Sequence, residues 1–233
     1  MNIYAISDLH LEGNQNKPMN IFGKGWDNHF EKIVENWQQM VQEEDIVLIA
    51  GDISWAMAFE DGISDIEKIA KLKGKKIFIR GNHDYWWNKI STLREVFKDK
   101  NCYFLQNDCI KFGEYIFCGC RGWLVPENEN VQSEQDKKIY CRELERFKLA
   151  FKAVKKLRQP HDKVICLVHY PPFNNRQQDS AFTKMFEENH VNAVIYGHIH
   201  QYLSGYLLKS IKNNIPYYLT SCDLLDFHLK KIV

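Results

Sequence analysis

Short apolar runs recur along this chain of 233 residues, and they limit the folds that it can adopt. Each run has strand length and is rich in β-branched or aromatic residues. The runs are IYAI (3–6), IVLIA (46–50), KIFI (76–79), CYFL (102–105), YIFCG (115–119), VICLV (164–168), AVIY (193–196) and YYLT (217–220). Several contain no polar residue, which is typical of strands covered on both faces.

Segments with a helical repeat of apolar residues separate several of these runs. Apolar side chains recur at helical spacing over 30–41, 63–70, 140–154 and, more briefly, 182–186. Alternating strands and helices predict a layered α/β fold. Neighbouring strand patterns within 102–119 and within 203–220 indicate antiparallel strands added to the sheet. Because no internal repeat or low-complexity linker is present, we expect one domain over residues 1–233.

The charge and the cysteine content narrow the class of protein. The formal net charge of +1 gives no general electrostatic reason to expect binding to nucleic acid or to an acidic membrane. The seven cysteines form no C-x-x-C pair, which fits reduced thiols in a cytoplasmic protein. The first residues show no signal-peptide pattern, and no stretch has the length of a membrane-spanning helix. We therefore expect a cytoplasmic location and no membrane partner.

Side chains of metal-binding type follow five of the apolar runs, at the point where each run ends. They are Asp8 with His10, Asp52, Asn82, His169, and His198 with His200. Ligand sites of open α/β sheets lie beyond the carboxyl ends of the strands, so we expect these side chains to converge. Carboxylate, imidazole and amide ligands together suit Mn, Fe or Zn better than Ca or Mg. Seven ligands are too many for one tetrahedral ion, and they predict two divalent metal ions with Asp52 as the shared ligand.

Each of these motifs, taken alone, has an ordinary structural explanation. Gly51-Asp52 is a common turn after a strand, and a lone His169 is equally a hydrogen-bonded core histidine. His198 and His200 indicate a binding site more strongly, because alternate residues of an extended segment point the same way. The presence of all five motifs at strand ends favours one shared site.

The five motifs together resemble the signature of the calcineurin-like metallophosphoesterase superfamily, which runs D-x-H, G-D, G-N-H-[DE], a lone H and G-H-x-H. They stand here, in that order, as Asp8-Leu-His10, Gly51-Asp52, Gly81-Asn82-His83-Asp84, His169 and Gly197-His198-Ile-His200. The resemblance implies a four-layer α/β/β/α sandwich of two mixed β-sheets flanked by helices. It assigns two sets of ligands, namely Asp8, His10, Asp52 and His200 for one ion, and Asp52, Asn82, His169 and His198 for the other.

The resemblance also implies hydrolysis of phosphomonoesters or phosphodiesters. Two metal ions about 3.5–4 Å apart would hold the phosphoryl group, and a hydroxide that bridges them would attack phosphorus. His83 is not a ligand in the family pattern, and we expect it to protonate the leaving group as the general acid. Asp84 would orient His83 and keep it protonated.

Candidates for substrate contact come from residues that follow the site segments. Arg121 and Arg176, with Asn174, are candidates to hold a phosphate oxygen, although each arginine is as readily a solvated surface residue. Trp55 and Trp86 either line the substrate pocket or form small local cores. We expect the partner to be a phosphoester substrate, either a small molecule or a nucleotide, rather than a nucleic acid.

Two other classes of function remain open. A non-catalytic scaffold of the same fold would bind metal or a partner protein, but such a chain is expected to lose ligands or the acid, and this one retains His83. A metal-dependent amidohydrolase also carries H-x-H, but on its first strand, where this chain has Asp8-Leu-His10.

Overall fold

The computed structural model describes residues 1–13, 19–127, 133–200 and 207–233. Its strands are β1 (Ile3–Ile6), β2 (Ile46–Ile49), β3 (Lys75–Ile79), β4 (Cys102–Leu105), β5 (Cys109–Phe112), β6 (Tyr115–Cys120), β7 (Lys163–Val168), β8 (Ala193–Tyr196), β9 (Lys209–Lys212), β10 (Ile215–Leu219) and β11 (Lys230–Lys231). All eight apolar runs of the sequence are strands. The short strands β5, β9 and β11 were not predicted, because their residues are largely half-buried or exposed and lack a continuous apolar run.

The strands form two mixed sheets. The first has the order β11-β1-β2-β3-β4, in which β1 to β4 are parallel and β11 is antiparallel. The second has the order β5-β6-β7-β8-β10-β9, with parallel inner strands and antiparallel edges. Antiparallel pairs do occur within both predicted segments, as β5–β6 and β9–β10, but each involves a strand that was not predicted, and the predicted strand β4 joins the first sheet in parallel. Residues 203–206 of the second predicted segment lie outside the described residues.

The helices are α1 (His29–Met40), α2 (Phe59–Ala70), α3 (Ile90–Val96), α4 (Glu134–Leu157) and α5 (Ala181–Glu188), with 3-10 turns at Met19–Phe22 and Lys24–Trp26. The four predicted helices are confirmed, and α3 is an addition of only seven residues. Ser133 starts α4 by accepting a hydrogen bond from the backbone N–H of Asp136, and Ser180 starts α5 in a capping box. Within the described ranges, no helix is long and apolar enough to cross a membrane.

Three apolar layers hold these elements together. Trp37 and Phe78 belong to the layer between the first sheet and its helices. Leu48 and Phe117 belong to the layer between the two sheets, and Phe147 belongs to the layer between the second sheet and its helices. The fold is therefore the four-layer α/β/β/α sandwich that the resemblance implied. The apolar layer shared by the two sheets is in keeping with one domain over residues 1–233, which stays a prediction.

Candidate metal centre

The seven predicted ligands lie in the loops directly after β1, β2, β3, β7 and β8, at the carboxyl ends of parallel strands. Four of them have a left-handed backbone, with φ of 58° at Asp8, 45° at His10, 51° at Asp52 and 73° at His198. Non-glycine residues rarely adopt this conformation, and it concentrates at functional sites. The chain therefore turns sharply at each of these positions and directs the side chain towards the rim.

Two motif glycines allow the ligand loops to approach each other closely. Gly51 has φ of 93°, and a Cβ there would lie 2.8 Å from both the Cα of Gly81 and the Nδ1 of His169. A Cβ on Gly81 would overlap the side chain of Asp52. A larger residue at either position would push apart loops from β2, β3 and β7.

Asp8, His10 and His200 form the first group of ligand atoms, all within 4.8 Å of one another. The Nε2 atoms of His10 and His200 are 3.1 Å apart, and His200 Nε2 is 3.8 Å from Asp8 Oδ1. On the other side of its ring, His200 Nδ1 lies 3.2 Å from Asp223 Oδ1. Burial lowers the pKa of His200, but the Asp223 and Asp8 carboxylates outweigh this effect and raise it overall. Asp223 thus fixes the ring with Nε2 facing the site, as second carboxylates do for metal-binding histidines.

The second group is built around the side-chain oxygen of Asn82. Asn82 Oδ1 lies 2.7 Å from His169 Nε2 and 2.9 Å from His198 Nδ1, and Asp52 Oδ2 lies 3.5 Å from His169 Nε2. The other ring nitrogen of His169 is 3.0 Å from the carbonyl oxygen of Ala50. That contact holds the ring with Nε2 towards Asn82.

The two groups meet at the aspartates. Asp52 Oδ2 is 3.9 Å from His10 Nε2 of the first group, so it faces both groups, as expected of a shared ligand. Asp8 also lies within 4.8 Å of both Asp52 and His169 and joins the two groups from the other side. The bridging role of Asp52 stays a prediction.

Three of the four candidate ligand histidines have the charge state that a metal site needs. Burial lowers the pKa of His10 and of His169 to about 3, and that of His198 to about 4. These rings are therefore neutral at physiological pH, and the neutral imidazole is the form that binds metal.

The buried aspartates complete the electrostatic case for cations. Burial raises the pKa of Asp8, but the nearby histidines, led by His169, outweigh burial and lower it overall. Burial raises the pKa of Asp52 well above its usual value, and the carboxylates of Asp8 and Asp84 raise it further. Ligand atoms of one ion bound at about 2.1 Å lie roughly 3–4 Å apart, which matches the distances observed here. The residues therefore fit divalent metal ions.

A family model for calcineurin-like phosphoesterases matches residues 1–202. The chain belongs to the calcineurin-like phosphoesterase family. The resemblance in sequence is thereby confirmed, and this phosphoesterase family normally binds divalent metals.

Similar proteins add evidence on the fold. An uncharacterized protein of Methanocaldococcus jannaschii is 30% identical over 92 residues, or 39% of this chain and 51% of that protein. The chain thus matches about half the length of this curated relative. A protein of unknown function from Aquifex aeolicus aligns with a TM-score of 0.53 and 16% identity over 99% of this chain and 95% of that one. A Thermus thermophilus protein aligns with a TM-score of 0.60 and 13% identity over 99% and 97%. At such identities the two structures show the shared fold alone.

The predicted general acid, His83, lies at the edge of the metal centre. Its backbone N–H donates to Asp52 Oδ1 over 2.8 Å, and its Nε2 is 4.0 Å from Asp52 Oδ2. The imidazole is 35% exposed and packs against Trp55, with ring centroids 4.4 Å apart. A group that serves the leaving atom needs this position, adjacent to the ligands and open to solvent.

Asp84 is fully buried and holds the loop that carries His83. Its four donors are the backbone N–H groups of Ile53, Ser54 and Gly81 and the indole Nε1 of Trp86, at 2.7–3.2 Å. None of these four donors belongs to His83. The contacts favour Asp84 as the tie between the loops after β2 and β3, and its direct action on the imidazole stays a prediction.

The two tryptophan candidates have different surroundings. Trp55 is half-buried and stacks on His10, with ring centroids 4.7 Å apart, so it forms one wall of the centre. Trp86 is 2% exposed and packs in the first core layer, where Gly62 of α2 approaches its ring. This burial favours the local-core alternative for Trp86.

The polar candidates for substrate contact, Asn174 and Arg176, also differ in their surroundings. Asn174 is buried and accepts hydrogen bonds from the backbone N–H groups of Arg176 and Gln178, so it organises its own loop. It also lines a cavity of about 330 Å³ that reaches His198. Arg176 is largely exposed and lies 3.8 Å from Glu127. Substrate contact by either residue stays a prediction.

Arg121 is brought next to the second group of ligands. Its carbonyl oxygen accepts the backbone N–H groups of His169 and Tyr170, and its guanidinium faces Glu143 of α4. Sequence reasoning missed Asp223, Tyr170 and Glu143. Asp223 follows the end of β10, so the strand-end rule would have found it, whereas nothing in the sequence distinguishes Glu143 from other charged helix residues.

Proposed function

We propose that this phosphoesterase uses two divalent metal ions to hydrolyse phosphomonoesters or phosphodiesters of small molecules or nucleotides. The observation that carries the proposal is the convergence of seven ligand side chains, from five loops, into two adjacent groups that share Asp52 and Asp8. Metal ions bound there would neutralise the phosphoryl oxygens and lower the pKa of a water molecule towards about 7.

The side chains of the chain have separate tasks in this reaction. Neutral His10, His169 and His198 present ring nitrogens to the ions, and the buried aspartates balance the charge of the ions. His83 lies next to the ligands but is held by its backbone N–H, which leaves the imidazole to give a proton to the leaving oxygen. Trp55 packs against the rings of His10 and His83 and keeps both in place.

The direct test is metal analysis of the purified chain, followed by a screen of phosphomonoesters and phosphodiesters with Mn, Fe, Zn, Co and Mg. We expect about two ions per chain and hydrolysis that a chelator abolishes and added metal restores. Metal binding without activity on any phosphoester would instead support a non-catalytic scaffold.

His83→Asn tests the general acid. General acid catalysis typically contributes about 10²- to 10⁴-fold, and we expect a loss of that size in kcat for substrates with poor leaving groups. The loss should be much smaller for p-nitrophenyl esters, whose leaving group needs no proton. His161→Asn, an exposed histidine before β7, is the matched control and should change neither rate. If His83→Asn lost bound metal, His83 would be a ligand and not the acid.

A further inference from the structure

Two arginines and one buried glutamate form a second charged cluster beside the metal centre. Glu143 of α4 is 0% exposed, and its Oε1 lies 2.6 Å from Arg146 Nη1 and 3.5 Å from Arg121 Nη2. Because Arg121 Nη2 and Arg146 Nη1 contact the same oxygen of Glu143, these two guanidinium groups are close enough to repel one another. A further arginine, Arg80, directly follows β3 and donates from Nε to the carbonyl oxygen of Asp84 over 3.1 Å.

The cluster has more positive than negative charge. Glu143 is its single carboxylate in close contact, and the Asp84 carboxylate is already engaged by backbone and indole donors. The Nε of Arg121 is buried and has no hydrogen-bond acceptor in the part of the chain that the structure describes. Buried donors are normally paired, so this atom and the excess charge both indicate a missing anionic partner.

The cluster lies next to the loops that carry the candidate metal ligands. Arg80 lies two residues before the ligand Asn82 in the first sheet, and Arg121 lies at the end of β6 in the second sheet. The contact between Arg121 and His169 involves the backbone of His169, while the ring of that histidine points towards Asn82. The cluster thus lies beside the metal centre and is not part of it. Tyr170 lies between the two, with its ring centroid 4.3 Å from that of His198.

We propose that Arg121 and Arg146 form an anion subsite that binds a second anionic group of the substrate, phosphate or carboxylate. The scissile phosphate of the same molecule would lie at the metal centre. Guanidinium groups suit both anions, because they donate paired hydrogen bonds to phosphate and carboxylate oxygens. The inference rests on the proposed function and narrows its substrates to phosphoesters that carry a further anionic group.

Binding of phosphonates to the metal-loaded chain tests the subsite without turnover. Calorimetry would compare methylphosphonate, which reaches only the metals, with 3-phosphonopropionate and propane-1,3-bisphosphonate, which carry a second anion. We expect the two-anion ligands to bind about tenfold more tightly, the size of one charge-assisted interaction. The carboxylate and the bisphosphonate distinguish the two kinds of second anion. Equal affinity for all three ligands would overturn the proposal.

Arg121→Gln should abolish the preference for two-anion ligands and leave methylphosphonate binding unchanged. Arg146→Gln, at a more exposed arginine, repeats the test if Arg121→Gln fails to fold. The matched control is Arg142→Gln, because Arg142 is 55% exposed and its Nε is 3.9 Å from Glu143 Oε1, beyond hydrogen-bond distance. The control should keep the preference.

Two further outcomes separate a subsite for a second anion from a direct role of Arg121 at the metals. If Arg121→Gln bound all three ligands more weakly by the same factor, Arg121 would contact the metal-bound group, and the subsite would be overturned. If wild type hydrolysed no phosphoester but kept the Arg121-dependent preference, the proposed function would fail and the subsite would stand.

Discussion

Two buried carboxylates, Asp84 and Glu143, lie near the candidate site and differ in the hydrogen-bond and ion-pair partners of their oxygens. Both oxygens of Asp84 accept hydrogen bonds, and all four donors are neutral groups of the surrounding loops and of Trp86. Glu143 binds arginines through Oε1, whereas Oε2 is buried with no donor in the described part of the chain.

The difference shows what each carboxylate does. Asp84 has a complete set of partners fixed by the backbone, so it locks the loop that carries Asn82 and His83. Glu143 is held through one oxygen by arginine side chains, so its position depends on ion pairs and not on backbone donors. Burial raises the pKa of both residues. The pKa alone therefore does not distinguish a structural carboxylate from one at a binding site.

Asp84→Asn should have the largest effect on stability. An amide has one acceptor oxygen, so its NH₂ group must face a donor such as the N–H of Gly81, which is then buried without a partner. We expect the free energy of unfolding to fall by about 3 kcal/mol, measured by urea denaturation. Asp99→Asn, at an exposed residue after α3, is the control and should change stability by less than about 0.5 kcal/mol.

The same variant tests the role that the sequence suggested for Asp84. If stability and metal content were unchanged while kcat fell, Asp84 would act on the protonation of His83 and not on the loop. A loss of both stability and metal content would support the structural role, in which Asp84 holds the loops after β2 and β3 together.

Trp86→Phe should have the next largest effect, because it removes one of the four donors to Asp84. Trp87→Phe is a matched control in the same core layer, since the indole Nε1 of Trp87 has no acceptor among the described residues. Both changes remove similar volume, so their difference isolates the hydrogen bond. We expect Trp86→Phe to be less stable than Trp87→Phe by about 1.5 kcal/mol in thermal or urea unfolding. Equal stability would mean that the indole only fills space.

Much of the fold could be predicted because the inner strands are apolar at nearly every position. The edge strands β5 and β9 escaped prediction, since residues such as Lys111 and Lys209 break the apolar pattern there. The short helix α3 buries little more than Leu93, so its periodic signal is weak. The pairing of strands into two sheets came from the resemblance, because periodicity does not specify which strands are neighbours.

The convergence of the candidate metal ligands could be predicted because one local rule, a polar residue after a buried strand, places them all. Glu143 and Trp86 follow no such rule. Glu143 lies in the middle of a helix with many charged residues, and only the folded chain brings it to Arg121. Trp86 follows a site motif in sequence, yet its neighbour Gly62 comes from a distant helix and buries it.

Glu143→Gln should have the smallest effect on stability of the variants considered. The pH dependence of that effect distinguishes Glu143 most clearly from Asp84. The amide keeps an acceptor for Arg146, and its NH₂ group replaces an oxygen that has no donor, so no partner is lost. At pH 7 we expect a change within about 0.5 kcal/mol, because the lost attraction to the arginines is offset by no longer burying a charged carboxylate, whose burial outweighs the arginines in the pKa of Glu143. Because burial raises the pKa of Glu143 in the folded state, the folded chain binds its proton more tightly than the unfolded chain does.

The contribution of this group to stability is therefore fully present below the unfolded pKa of about 4.5 and is lost as the pH rises through the higher folded value. Urea unfolding of both proteins between pH 4 and pH 8 measures this effect. Wild type should lose stability relative to Glu143→Gln as the pH rises, whereas no such relative loss is expected below pH 4.5. A wild type that gained stability over this range would mean that the arginines outweigh burial, and that the cluster is already balanced without an anion.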